Sequence, residues 1–299
     1  MPPVLFEIDD ARINFEDPAS LVKDEYAGIF TRKELAPYLL SEICALDMIM
    51  AVSKMNGGYY CDRLVLKGGL SVRNHVPLIS HRFSFDADYN ANTAKQFTFG
   101  DVSDIRKDLT KYGADRRVRT SVKEGKNNAE FYFVELDYPK SLREVGYKLA
   151  ELPKIELCKR CRMFEKPVKN TMNTFIDLKL LGLEPPVVYH VALEEQLATK
   201  LYIIGSSGRQ RNHFDAYDAV RITENNEVDW KLTEEIFERL VGRHKAKKAD
   251  YIAECRHQLD AMLRNDGKKS DLQETVFREK FYFDEMVSRV KTLYDFKAN

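Results

Sequence analysis

The spacing of apolar residues changes at Pro185-Pro186, and this change constrains the fold more than any other feature of the sequence. Before the two prolines, segments in which apolar and polar residues alternate, as they do in β-strands, are interspersed with helical segments. After them, the apolar residues recur only at helical spacing. The pattern predicts an α+β domain over residues 1–185, with an N-terminal arm and helix, followed by a helical bundle over residues 186–299.

The α+β part contains five candidate strands: "RLVLKGG", "RFSFDADYN", "RRVRTSVKE", "AEFYFVELDY" and "PKIELC". A long, largely buried helix is predicted from an N-cap at Thr31 to Gly57-Gly58, because paired glycines end helices. The segment "DVSDIRKDLTKYG" has the spacing of an amphipathic helix.

The overall charge and the hydropathy bear on the partners of the chain, although the cations in "DIRKDLTKYGADRRVRTSVKEGK" leave a local basic patch open. The 47 basic residues balance the 47 acidic residues, so the net charge predicts no strong attraction to nucleic acid or to an anionic membrane. The sequence lacks a run of about 18 apolar residues, which predicts no membrane span. The acidic N-terminus has no apolar signal core, so a cytoplasmic location is expected.

The cysteines argue against a disulfide framework, because there are five of them at irregular spacing. Cys158 and Cys161 form a single C-x-x-C, "CKRC". A structural zinc site normally needs a second pair of ligands, so two reduced cysteines at a strand end are predicted. A zinc-stabilised interaction protein built on this pair remains the less favoured alternative.

Two carboxylates lie one residue apart in "RFSFDADYN". At strand period, Ser84, Asp86 and Asp88 point to one face, and the aromatic residues between them point to the other. Asp86 and Asp88 repel each other unless a cation lies between them. A hard divalent cation prefers such carboxylate oxygens, and Glu156, on the polar face of "PKIELC", is a candidate third ligand. The alternative is an ordinary solvated strand face.

A glycine turn follows the first candidate strand. In "LVLKGGLS", Gly68 and Gly69 come directly after the strand, and the hydroxyl of Ser71 follows. Without Cβ atoms, such a turn lets backbone N–H groups approach a phosphate closely.

This order of motifs resembles the AbiEii/AbiGii-type toxins of the minimal nucleotidyltransferase superfamily. The resemblance is carried by "LVLKGGLSVR", "HRFSFDADYN", "KIELC", "LEEQLATKLYIIG" and "RQRNHFDAYDAV", over roughly residues 60–222. It implies a mixed sheet with flanking helices, then a helical bundle that contributes to the active-site cleft. It also implies Mg²⁺-dependent transfer of a nucleoside monophosphate from an NTP to a macromolecular acceptor. On this resemblance the acceptor would be the 3′ end of tRNA or a protein hydroxyl, and the protein would be the toxin of a toxin–antitoxin or phage-defence pair with a cognate antitoxin.

The resemblance also implies a role for each matching residue. Two Mg²⁺ ions would be held by Asp86, Asp88 and Glu156. The catalytic set would be Asp86, Asp88, Glu156, Lys200 and Asp215. The nucleotide would be bound by Lys67, Gly68, Gly69, Ser71, Arg82, Ser84, Lys200 and Asp218.

Two positions depart from the family pattern. Leu70 stands where many members have Thr or Ser, and Phe214 replaces an arginine that usually precedes Asp215. A nearby cation, Arg209 or Arg211, would have to replace that arginine. The departures keep a second class of function open, a degenerate module that binds nucleotide or RNA without transferring anything.

Lys200 can be assessed without the family. On a helix it lies about 20° from Leu193, beside the apolar stripe, at about 100° per residue. A lysine that faces inward needs an anion. The favoured anion is a triphosphate. The alternatives are a structural ion pair with Asp215 or Asp218, and a lysine that extends its ammonium group to solvent.

Overall fold

The structure is a computed structural model that describes residues 5–30, 33–92, 102–112, 120–124, 131–136, 146, 149, 154–158, 163–206, 209–243, 246–276 and 282–297. The chain divides into two compact units. Unit 1 comprises Met1–Asn74 and Phe83–Val191, and unit 2 comprises His75–Arg82 and Ala192–Asn299. The predicted division after residue 185 lies close to the point where the chain finally leaves unit 1.

Within the part of the chain that the structure describes, unit 1 has seven strands: β1 (Leu64–Lys67), β2 (Ala87–Ala91), β3 (Thr120–Glu124), β4 (Phe131–Leu136), β5 (Lys154–Cys158), β6 (Val168–Thr171) and β7 (Val187–His190). They form one sheet with the order β3-β4-β5-β2-β1-β7-β6. β2 runs parallel to β5 and β1 runs parallel to β7, whereas the other neighbouring pairs are antiparallel. The predicted α+β class with a mixed sheet is therefore confirmed.

Strand β2 is shorter than the aromatic pattern predicts, because it begins at Ala87 and not at Arg82. Phe83 and Phe85 are buried all the same, and both rings contact the ring of Tyr38. The alternation of apolar residues thus reports burial of this segment correctly. It does not report where ladder hydrogen bonds begin.

The longest helix of unit 1, α2, spans Ala36–Gly58. The backbone leaves the helical region at Met55, and Asn56 and Gly57 have positive φ values of 52° and 64°, which supports the predicted end. The predicted N-cap, Thr31, lies outside the described residues. By length and composition α2 could cross a membrane, but 78% of its apolar window is buried inside the structure. That burial is typical of the core helix of a soluble protein.

The described part of unit 1 also holds three shorter α-helices, α1 (Asp24–Ala27), α3 (Gly68–Val72) and α4 (Val102–Tyr112), besides short 3-10 helices. Within the core, the carboxylate of Asp47 on α2 accepts backbone N–H bonds from Phe6, Glu7 and Ile8 at 2.7–2.9 Å. This buried aspartate anchors the N-terminal segment to α2, because the three N–H groups have an acceptor inside the core.

A buried ion pair also joins α2 to the region after the glycine turn. Arg73 donates to both carboxylate oxygens of Glu42, and both side chains are completely buried. Arg73 donates a further bond to the carbonyl oxygen of Ser84 at 3.3 Å. The pair therefore holds the chain segment that leads into Asp86.

Unit 2 is helical, as predicted. Its helices are α5 (Leu193–Ile204), α6 (Asn212–Asn225), α7 (Trp230–Gly242), α8 (Lys248–Leu263), α9 (Asp266–Thr275) and α10 (Phe283–Leu293). α5 contacts α6, α7 and α8, and α10 contacts α6 and α8. The apolar stripe of α5, including Leu197 and Leu201, is fully buried at the centre of this bundle.

Candidate active site

Two of the three predicted metal ligands of unit 1 lie on neighbouring strands, and the third lies next to one of them. Asp88 on β2 and Glu156 on β5 are register partners in a parallel pair, and Asp86 immediately precedes β2. All three side chains are half-buried, whereas Ala87, between the two aspartates, and Ile155, directly before Glu156, are fully buried. We call Asp86, Asp88 and Glu156 the carboxylate cluster.

The glycine turn lies directly against this cluster. Gly68 has φ +69°, and a Cβ atom there would lie 2.1 Å from Oδ2 of Asp88. Lys67 is the register partner of Asp88 on β1. Glycine is therefore required at position 68 for two reasons: its backbone conformation and the close approach of the Asp88 carboxylate.

The neighbouring predicted nucleotide-binding residues are more enclosed. Gly69, Leu70 and Ser71 are all buried, and Oγ of Ser71 has no hydrogen-bond partner among the described residues. Such an orphaned donor is available to a ligand oxygen or a water molecule. Ser84 is also buried and contributes its carbonyl oxygen to Arg73.

Lys154 supplies a cation that the sequence reasoning missed. Its Nζ lies 3.2 Å from Oδ2 of Asp86. Burial alone would lower the pKa of Lys154, but attraction by Asp86, and then by Asp88 and Glu156, offsets that effect and raises the pKa above its usual value. The available signal was strand period, since Lys154 and Glu156 are two residues apart on β5 and share a face.

The donor set of the carboxylate cluster fits a hard divalent cation, because it consists of carboxylate oxygens. Over the ranges that the structure describes, no three His, Cys, Asp or Glu side chains are gathered closely enough to hold a metal ion as they stand. Asp86 is instead in contact with Lys154. The assignment of these three residues as metal ligands stays a prediction.

A second group of charged side chains lies in unit 2. Arg82 donates to both oxygens of Asp218 at 3.1 Å, and Nζ of Lys200 lies 2.8 Å from Asp218 and 2.9 Å from Asp215. Nε of Arg209 donates to Asp215 at 3.0 Å. We call these five residues the ion-pair network.

The ion-pair network carries more positive than negative charge. Three cations face two carboxylates, and all the side chains except Arg209 are buried. Burial alone would raise the pKa of Asp218, but attraction by Arg82 and Lys200 lowers it to about 2. The four buried charges balance, and the third cation, Arg209, lies at the partly exposed edge of the network.

Lys200 therefore forms ion pairs with the two aspartates that the sequence analysis named as alternative structural partners. It contacts both Asp215 and Asp218, and its pKa is raised because their attraction offsets burial. A contact between Lys200 and a triphosphate stays a prediction.

Comparison with known proteins identifies the family. A family model described as nucleotidyl transferase AbiEii toxin, type IV toxin–antitoxin system, matches residues 57–294. The chain belongs to the AbiEii nucleotidyltransferase toxin family. It is accordingly a nucleotidyltransferase, and the family implies an NTP substrate and a cognate antitoxin.

A solved structure agrees with the fold of this AbiEii-family toxin. The nucleotidyltransferase toxin MenT4 from Mycobacterium tuberculosis superposes with a TM-score of 0.59 at 16% identity, covering 91% of this chain and 87% of MenT4. At that identity the similarity shows the fold. A search of curated proteins found no match.

The departure from the AbiEii pattern at Phe214 has a structural counterpart. The guanidinium carbon of Arg82 lies over the ring of Phe214, 4.4 Å from the ring centroid. Arg209 contacts the neighbouring Asp215. The structure thus brings Arg209, one of the two candidate cations, to Asp215. Its replacement of the missing arginine in function stays a prediction.

The expectation of two reduced cysteines is wrong for Cys158. Its sulfur is in a disulfide bond, and the partner lies outside the described residues. Cys158 is fully buried at the end of β5, and in this state it has no thiolate to offer to zinc.

The depressed pKa of Asp218 makes a prediction about acid stability. A carboxyl group with a folded pKa near 2 and an ordinary value of 3.8 stabilises the fold above about pH 4, and this contribution is lost as the pH falls towards 2. The free-energy difference between wild type and Asp218→Asn should shrink by about 2 kcal/mol across that interval. Denaturant unfolding at each pH measures it. The exposed Asp250→Asn variant is the control, and a difference that does not vary with pH would contradict the ion-pair network.

Proposed function

We propose that this AbiEii-family enzyme is a Mg²⁺-dependent toxin that transfers a nucleoside monophosphate from an NTP to an RNA acceptor, the 3′ end of tRNA. The observation that carries the proposal is the carboxylate cluster beside Gly68, where Asp88 and Glu156 are register partners on adjacent strands. The order of the motifs and the family model support it. We infer a cytoplasmic location, where NTPs and tRNA are found.

Asp86, Asp88 and Glu156 would hold the metal, because their oxygens are the donors that Mg²⁺ prefers. When bound, Mg²⁺ supplies Lewis-acid chemistry at the α-phosphate and lowers the pKa of an attacking hydroxyl group.

The chain's other residues bind and orient the nucleotide in this proposal. The turn at Gly68 and Gly69 offers backbone N–H groups to the phosphates, and Lys200 and Arg82 supply positive charge. The acceptor hydroxyl group loses its proton to solvent water as its oxygen bonds to the α-phosphorus. The bond from that phosphorus to the α,β-bridging oxygen breaks, and pyrophosphate leaves with the electron pair. Preorganised positive charge stabilises the charge that builds up on the leaving group.

The acceptor is tested by incubating the enzyme with each α-³²P-labelled NTP, Mg²⁺ and a mixture of total RNA and protein. The label is expected in material that ribonuclease destroys and protease leaves intact, at the mobility of tRNA. Label in protease-sensitive material would contradict the RNA acceptor and would point to a protein hydroxyl. Bound nucleotide without any transfer would favour the degenerate binding module.

Replacing Lys200 by alanine is expected to weaken NTP binding by about tenfold to a hundredfold, since a charge-assisted contact is worth about 1.5–3 kcal/mol. The corresponding monophosphate should lose much less affinity, because it lacks the β- and γ-phosphates. The variant should also melt at a lower temperature, because the buried carboxylates of Asp215 and Asp218 each lose one of two cationic partners. Each then keeps a single arginine.

Calorimetric titration of NTP and monophosphate into wild type and variant, with a thermal melt of each, separates the two roles of Lys200. The exposed Lys231→Ala variant of the same unit is the control. A Lys200→Ala protein that melts lower but binds NTP with normal affinity would restrict Lys200 to the ion-pair network.

A further inference from the structure

We propose that the ammonium group of Lys154 is the built-in counter-cation of the carboxylate cluster, and that a divalent metal must displace it to bind. Lys154 then sets the affinity of the site for metal. This inference rests on the proposed function, because it takes the carboxylate cluster as the metal site.

Strand geometry brings Lys154 to the cluster. Lys154 opens β5 and lies two residues before Glu156, so both project from the same face of the strand. β5 runs parallel to β2 with Glu156 opposite Asp88, and Ile155 opposite Ala87. The intervening residues are fully buried, which fixes the polar face of both strands. Only a one-residue change of strand register would move Lys154 to the opposite face of the sheet from Glu156.

The contact made by Lys154 uses an atom that a metal would need. Its Nζ lies 3.2 Å from Oδ2 of Asp86, and the attraction of Asp88 and Glu156 acts on it as well. Mg²⁺ binds carboxylate oxygens at about 2.0–2.1 Å. A divalent ion at that distance from Asp86 would repel an ammonium group on the same oxygen, so the two cations exclude each other.

The side chain of Lys154 is partly exposed to solvent. It is 34% exposed and that of Asp86 is 24% exposed, so solvent reaches the pair. A lysine has a long flexible stem and can move its ammonium group into water without disturbing the strand. In contrast, the buried pair of Arg73 and Glu42 has no exposed surface at all. The geometry therefore describes an exchangeable cation rather than a fixed structural bridge.

Binding of Mn²⁺ alone, without nucleotide, tests this role. Mn²⁺ shares the preference of Mg²⁺ for oxygen ligands, and free Mn²⁺ is measured directly by electron paramagnetic resonance. Lys154→Met should bind Mn²⁺ about tenfold more tightly than wild type, since it removes the competing charge and keeps the apolar stem. Lys154→Arg keeps the charge and should bind with near-normal affinity. Lys169→Met, an exposed lysine on β6, is the control.

Thermal melts in a chelator give a second readout. The Lys154→Met variant should melt slightly below wild type without metal, because the carboxylates then repel one another. It should gain more from added Mn²⁺ than wild type does.

Mn²⁺ affinity that is unchanged or weaker in Lys154→Met, with wild type binding normally, would overturn the role of Lys154 and leave the proposed metal site intact. Absence of Mn²⁺ binding by both proteins would contradict the metal site itself, and with it both proposals. The two failures are therefore distinguishable.

Discussion

Replacing Asp88 by asparagine is expected to lower nucleotide transfer by at least about a thousandfold, because metal assistance contributes several kcal/mol to such reactions. The amide keeps the size of the side chain and its place against Gly68, but it loses the charge that a hard cation requires. Asp86→Asn should have a comparable effect. Transfer of α-³²P label, measured at saturating NTP, gives the loss directly.

A loss of transfer identifies these aspartates as metal ligands only if the variants fold as the wild type does. From the sequence, removal of either like charge should leave the metal-free fold equally or more stable. The contact between Asp86 and Lys154 changes that expectation for Asp86→Asn, which loses a partly exposed ion pair worth no more than about 1 kcal/mol. The exposed Glu184→Gln variant serves as the control for loss of one charge. Near-normal transfer by either aspartate variant would exclude the carboxylate cluster as the metal site.

Breaking the pair of Arg73 and Glu42 is expected to have the largest effect on stability. Either Arg73→Met or Glu42→Ala leaves a completely buried charge without its partner, which costs about 3–5 kcal/mol. The loss of the Arg73 bond to the carbonyl of Ser84 should also loosen the segment that leads to Asp86. Transfer per folded molecule should therefore fall in Arg73→Met as well. Denaturant unfolding gives the free energy of unfolding for each variant.

The double variant Glu42→Met/Arg73→Met is the informative control, because it removes both charges and leaves apolar side chains in their place. It should recover much of the stability that either single change loses. If the free energy of unfolding of each single variant lies within about 1 kcal/mol of the wild-type value, the pair contributes little to the stability of the fold.

Local periodicity predicted the elements whose apolar residues face the core. The end of α2 at Gly57, strand β1 after Arg63 and the helices of unit 2 all follow from spacing and glycine signals in short windows. β6 was missed because all four of its residues, Val168–Thr171, are exposed and show no alternation. β7 was missed because it comes directly after Pro186, where the chain was expected to change character.

The sites divide in the same way. Adjacent carboxylates such as Asp86 and Asp88 are visible in sequence because strand period puts them on one face. The contact of Lys154 with Asp86 is recognised only once β5 is known to lie beside β2, because Lys154 lies 68 positions after Asp86 in the sequence. The acceptor role of Asp47 likewise depends on residues about forty positions away. Pairing across such distances is a property of the fold and is invisible to a local window.

The most direct test of the central proposal compares an NTP labelled at the α-phosphorus with the same NTP labelled at the γ-phosphorus. Wild-type enzyme, Mg²⁺ and total RNA are incubated with each, and macromolecular and released label are separated. A nucleotidyltransferase should move the α-label to a macromolecule and release the γ-label as pyrophosphate, and Asp88→Asn should do neither. Transfer of the γ-label, or binding of NTP with no movement of either label, would contradict nucleotide transfer by this site.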